Sequence, residues 1–248
     1  MNRLGQTAVS VAMATYNGAT YLEQQIRSVQ AEMLPQDELV IVDDGSTDET
    51  PALLGELLFP QMRVCRNSMN LGVGATIERA LRMTRNEIIF LCDQDDVWLP
   101  GKRDAFVEAF LEDSRCMVVV SDAELVDGGG AQIAPSFMRG RGGFKGGLWS
   151  TLYKNRYLGC CMALRREVID AGVPIPNSVP RHDMWFGLLG NSMGTVRYLP
   201  TPYVQYRRHG ANVSPSRPAS LPTMLRWRAS LLIATRLRLW RPKRAMSG

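Results

Sequence analysis

The sequence predicts an α/β protein built on a mostly parallel sheet with helices on both faces. Short apolar runs, polar loops and segments of helical apolar spacing alternate through the first part of the chain. The loop after an apolar run is repeatedly where the acidic and hydroxyl residues collect, and open parallel sheets bind ligands at the carboxyl ends of their strands. Composition agrees: 248 residues, 45% hydrophobic and 21% charged, are ordinary for a globular chain with a sizeable core.

Ala8 to Ala14 reads as a buried strand ending at the turn Tyr16-Asn17-Gly18. Thr20-x-x-Glu23 is a capping box, and Leu22, Ile26 and Val29 line one face of the helix it opens. The pattern repeats with strand Leu39 to Val42, the loop Asp43 to Glu49, and a helix capped by Ser46-x-x-Glu49 with Pro51 near its start. Met62 to Arg66 is a third strand, followed by a loop to Gly72 and a helix faced by Val73, Ile77 and Leu81. Ile88 to Cys92 is the fourth strand. Beyond Pro100, which is placed to start a helix, Phe106, Val107 and Phe110 mark its apolar face, and Met117 to Val120 forms a strand leading to Ser121-Asp122. The glycine-rich basic stretch Arg139 to Gly147 is read as a loop that closes over substrate. Leu158 to Leu164 is another apolar strand, Arg165 to Gly172 a short helix, Asn177 to Pro180 a turn, and His182 opens a helix to about Leu189. Tyr198-Leu199 and Tyr203 to Tyr206 form a last pair of strands.

The chemistry is expected at Asp93-Gln94-Asp95-Asp96, where three carboxylates in four residues follow the fourth strand. Like charges mounted so closely repel unless a cation joins them, and all-oxygen donors suit magnesium or manganese. Such ions keep positions open for phosphate oxygens, so the expected partner is a phosphorylated small molecule. The plainer alternative is an acidic turn at the start of the helix after Pro100.

Charge is unevenly spread. The seven cations from Arg226 to Arg244, with no acid among residues 221 to 248, exceed the whole net charge of +5, so the remainder is slightly acidic. A basic tail carrying leucines and tryptophans points to an anionic surface. Five cysteines without a Cys-x-x-Cys pair fit reduced core thiols in a cytoplasmic protein and argue against structural zinc. The start of the chain reads as neither a signal peptide nor a membrane span, and no other apolar run reaches spanning length.

Taken together, Met13 to Gly18, Val42 to Asp48, Asn70-Leu71-Gly72, Asp93 to Asp96, His182-Asp183 and Tyr206 to Gly210 resemble the family 2 glycosyltransferases, most of all bacterial enzymes of surface-polysaccharide assembly, rhamnosyltransferase-like members included. The resemblance implies a GT-A fold over residues 1–212, followed by a basic apolar tail, 213–248, that the family motifs do not explain. It implies a UDP- or dTDP-sugar donor, Mg2+ or Mn2+, a glycan or lipid-linked acceptor, and inversion at the anomeric carbon. Carried onto this chain, Thr15 and Tyr16 line the base pocket, Asp44 bonds the base or ribose, and Asp93 sits near the ribose. Asp95 and His209 hold the metal, and Asp183 is the general base. The tail leaves room for peripheral contact at the cytoplasmic face of a membrane. Two alternatives stand beside this reading: a phosphatase with Asp93 as nucleophile and Asp95 as acid/base, and a nucleic-acid binder using the tail. The second would set the acidic cluster against phosphates, so no nucleic-acid partner is expected.

Overall fold

A computed structural model describes residues 3–147, 150–151, 155–179, 181–210 and 221–240. In chain order these form α1 (Arg3–Gln6), β1 (Val9–Thr15), α2 (Ala19–Glu32), β2 (Glu38–Asp43), α3 (Thr50–Glu56), β3 (Met62–Arg66), α4 (Val73–Met83), β4 (Ile88–Cys92), β5 (Val97–Trp98) and α5 (Lys102–Glu112). Then come β6 (Cys116–Asp127), β7 (Gln132–Ala134), β8 (Met162–Arg165), α6 (Arg166–Gly172), α7 (His182–Met193), β9 (Thr195–Arg208) and α8 (Leu221–Trp240).

The strands make one nine-stranded sheet in the order β3, β2, β1, β4, β8, β6, β9, β5, with β7 added on β6. β3, β2, β1 and β4 pair in parallel. β8 runs against both β4 and β6, and β9 runs parallel to β6. Two reversals restore direction, so β6 and β9 point the same way as β1, β2 and β4. Their carboxyl ends, at Thr15, Asp43, Cys92, Asp127 and Arg208, therefore lie along one edge of the sheet. That edge carries the site.

Side chains alternate across the pleat, which splits the core into two layers. Ala12, Val40, Val42, Ile89, Leu91, Val118, Val120 and Leu164 face the side covered by α4, α6 and α7. Val11, Met13, Leu39, Ile41, Phe90, Cys92 and Val119 face the side covered by α2 and α5. Strands buried on both faces read as continuous apolar runs, and this is why β1, β2 and β4 were legible as such.

Several local expectations are corrected. α2 starts at Ala19 with Gly18 as its cap, and α3 starts at Thr50 after Glu49; neither cap uses a side chain, so the two capping boxes do not form. Ser46 instead receives the Asn17 N–H (2.9 Å) and donates to Asp43, because the first two loops interlock. The helix expected at Pro100 begins at Lys102, after Gly101 in the left-handed conformation (φ +81°). Only the second half of the run Leu158 to Leu164 is strand: Gly159–Cys161 is a 3-10 turn. The expected last pair of strands is the single β9. α8 docks on α6 and α7, with Leu231 fully buried and Arg238 donating to the carbonyl of Val173 (3.1 Å). Pro180, the boundary at Asn212 and the last cations of the tail lie outside the described residues.

Candidate active site

The loops after β1, β2 and β4 are tied into one surface. Gln94 Oε1 accepts the Thr15 hydroxyl (2.6 Å) and the Tyr16 N–H (2.8 Å), while Gln94 Nε2 donates to the Tyr16 carbonyl (3.2 Å). A Cβ at Gly18 would collide with this glutamine, so the close approach requires glycine there. Asn17 holds a left-handed conformation (φ +47°), and its Oδ1 accepts the Thr47 N–H (2.9 Å). Tyr16 is left 41% exposed at the strand end, a bare aromatic face over the sheet edge.

Asp44 is drawn inward. Its Oδ1 accepts Asn67 Nδ2 (2.7 Å) and the Leu71 N–H (2.9 Å), and its Oδ2 the Gly72 N–H (2.8 Å), just before the start of α4. Burial alone would raise its pKa, but these donors together with Thr76 hold the carboxyl below its ordinary value. It is 3% exposed and both oxygens are occupied.

The acidic loop is the electrostatic focus. Burial first, then the charges of Asp96, Asp95 and Asp183, push Asp93 well above the usual carboxylate range, with Lys102 pulling the other way. Asp96 is pushed up to about 7 by burial and by Asp95, against the pull of the adjacent Cys160 thiol and the Arg207 N–H. Asp96 Oδ1 takes that N–H (2.9 Å), and Oδ2 is buried with no hydrogen-bond partner. Asp95 Oδ2 meets His209 Nε2 at 2.8 Å, where the end of β9 brings the histidine across from the far side of the sheet. Tyr21 packs against the His209 ring (4.8 Å), and the Arg207 guanidinium lies over Tyr21 (4.8 Å) and donates to the Asp95 carbonyl (3.0 Å).

This arrangement fits a hard divalent ion. Two neighbouring donors on an octahedral ion with bonds of about 2.1 Å stand about 3 Å apart, close to the Asp95–His209 separation. Asp183 lies in the first turn of α7, where Arg181 is the cap, so it does not cap the helix; its Oδ1 accepts the Met184 N–H (2.6 Å). A Cβ added at Gly159 would stand 3.9 Å from Asp183 Cβ, so Asp183 packs against the turn that carries Cys160, and its charge raises Asp93.

Thus the structure brings Thr15, Tyr16, Asp93, Asp95, Asp183 and His209 to one edge and engages Asp44 with the neighbouring loop after β3. It adds residues that sequence reasoning missed. Gln94 was legible only as part of the acidic run. Lys102 is fully buried, donates to the Cys160 carbonyl (2.7 Å) and stacks on Trp98 (4.1 Å). The signal was present: Lys102, Phe106 and Phe110 fall four residues apart, so a lysine occupies the apolar face of α5. The described part of the glycine-rich stretch is held by aromatic contacts, Phe144 stacking on Tyr198 (5.0 Å) and Arg141 lying over Phe137 (4.3 Å).

A mixed sheet covered on both faces, with acidic loops at its carboxyl edge, is the GT-A class of glycosyltransferase fold. Among solved structures, S. aureus TarS (residues 1–349, in complex with UDP-GlcNAc) superposes with a TM-score of 0.69 at 18% identity, covering 96% of this chain and 68% of that one. Residues 10–172 match the model of Glycosyl transferase family 2, and the chain belongs to that family. An uncharacterized glycosyltransferase of Nostoc is 30% identical over 213 residues, 82% of this chain. A putative teichuronic acid biosynthesis glycosyltransferase of Bacillus subtilis, TuaG, is 26% identical over 190 residues, 73% of this chain and 71% of its own length. The chain spans 66% of the length of the Nostoc relative. Family membership decides against the phosphatase alternative.

Asp44 generates a pH-dependent prediction. A carboxyl whose folded pKa is lowered adds stability above its unfolded value, about 3.9, and loses it as pH falls through the folded value. Asp44→Asn is expected to unfold at lower urea concentration than wild type at pH 7, with the gap closing below about pH 4. Urea midpoints at pH 7 and pH 3.5 check this; a gap that is the same at both would show that the charge is not what orders the loop.

Proposed function

We propose that the protein moves a sugar from a UDP- or dTDP-sugar to a hydroxyl of a glycan or lipid-linked acceptor in surface-polysaccharide assembly, with inversion and with Mg2+ or Mn2+. The observation that carries this reading is the Asp95–His209 pair standing beside Asp93 and Asp183 on one sheet edge, in a chain of this family. The names of the Bacillus relative and of the TarS complex support the pathway and the donor class.

In this reading the exposed ring of Tyr16 stacks on the base, with Thr15 fixed by Gln94 beneath it. Asp44 orders the rim of the base pocket through the loop of residues 67–72, and Asp93 faces the ribose. Asp95 and His209 hold the cation. When bound there, the cation would supply charge neutralisation for the departing nucleoside diphosphate. Asp183 takes the acceptor proton on the opposite face from its seat in the first turn of α7.

α8 adds a surface contact. Ile233 (59% exposed) and Leu237 (58%) share its outer face with the exposed Arg226 and Arg236, a pairing of apolar and cationic groups suited to an anionic lipid surface. No described helix is long and apolar enough to cross a membrane.

The donor is identified by thermal shift against a panel of nucleotide sugars with manganese, since a ligand at a hundred times its Kd stabilises by about 2.7 kcal/mol. Asp95→Ala is expected to keep the fold, by circular dichroism, and to lose the manganese-dependent part of UDP binding in calorimetry. Equal, metal-independent affinity in both proteins would remove the metal role. Asp183→Asn is expected to slow transfer by about a hundredfold to ten-thousandfold with donor binding unchanged, because Asn cannot take the proton; near wild-type turnover would send the search for the base elsewhere. Ile233→Glu with Leu237→Glu is expected to reduce sedimentation with phosphatidylglycerol vesicles, by less in high salt. Unaltered sedimentation would retire the lipid contact.

A further inference from the structure

The acidic loop contains a second donor set, deeper than the Asp95–His209 pair. Asp93, Asp96 and Cys160 each place one ligand atom within 4.8 Å of the other two. The loop after β4 supplies the carboxylates, and the 3-10 turn Gly159–Cys161 supplies the sulfur. Acidic crowding alone would mean little here. What marks the place is Asp96, 1% exposed, whose carboxylate belongs to this cluster and whose Oδ2 has no hydrogen-bond partner. Lys102, fully buried on α5, gives its hydrogen bond to the Cys160 carbonyl, so it fixes the turn that carries the sulfur and leaves Asp96 Oδ2 without a hydrogen bond.

We propose that Asp93, Asp96 and Cys160 form a cation site of their own, selective for a divalent ion of the zinc class. Two carboxylates alone would favour magnesium or manganese; a thiolate shifts the preference to softer ions, and three protein ligands leave a fourth position for water. Tetrahedral zinc holds oxygen and sulfur donors about 3.3 to 3.5 Å apart, so the three atoms need close on the ion by no more than about 1.5 Å. On binding, the sulfur donates an electron pair to the ion and its proton leaves to solvent, with no change of oxidation state. An ion in this position ties Asp93 inward, so zinc-class ions oppose donor binding; that consequence rests on the ribose role proposed above, whereas the site itself does not.

The test uses the full chain, freed of metal and titrated with Co2+ alone. One equivalent should produce thiolate-to-cobalt charge-transfer absorption in the near ultraviolet, bleached by Zn2+ and not by the same concentration of Mg2+. Cys160→Ser and Asp96→Asn should each abolish the band and weaken Zn2+ binding by about tenfold or more, while Cys161→Ser keeps the band. Absence of the band in wild type, its survival in Cys160→Ser, or equal bleaching by Mg2+ overturns the proposal. Circular dichroism shows whether each variant folds, and the wild-type band alone still decides if one does not. UDP binding with manganese, measured in parallel, reads the donor site separately: its absence beside a cobalt band defeats the proposed function, and its presence without a band defeats only the inner site.

Discussion

Repulsion among carboxylates at the end of β4 is the constraint on which the rest of the site depends. Asp93, Asp95 and Asp96 follow one another within four residues, and Asp183 is folded in beside them. At low dielectric such charges cannot all persist without compensation. The protein answers by mounting the loop on a fully buried strand, raising the two innermost carboxyls toward protonation, and surrounding the loop with donors from elements distant in sequence. Arg207 gives its backbone and side chain, His209 its ring, and Lys102 a buried charge behind them. The cation proposed here would complete what these groups leave unbalanced.

Sheet topology makes the compensation possible. β8 runs backward between β4 and β6, so β6 and β9 regain the direction of the parallel strands, and β9 delivers Arg207 and His209 to the edge where β4 delivers its acids. Had β9 run the other way, the histidine would lie at the opposite edge. The loops after β1 and β2 interlock through Asn17, Ser46 and Thr47, and Gln94 joins the loop after β1 to the acidic loop. Their hydrogen bonds are made across the loops, which explains why the expected capping residues are spent elsewhere.

α8 shows how a compositional reading meets packing. Its arginines are spread around the helix axis, and the sequence therefore marks no single apolar face. The structure selects one: Leu231 enters the core while Ile233 and Leu237 remain outside beside Arg226 and Arg236. The same residue types thus serve as anchor on one side and as exposed surface on the other, and only the docking partner distinguishes them.

The sequence by itself determined the strands buried on both faces, the helices behind them and the strand-end acids, because each is written in local periodicity. Short-range pattern also carried the family, since its motifs keep their order along the chain. Tertiary structure alone decided that His209 meets Asp95 across 114 positions, that Asp183 packs near Gly159 with its charge felt at Asp93, that Asp44 is bound by the loop after β3, and that Cys160 lies close to Asp96. These are contacts between elements, fixed by strand direction and register and by where a turn such as Gly159–Cys161 interrupts a strand. No spacing within one segment encodes them.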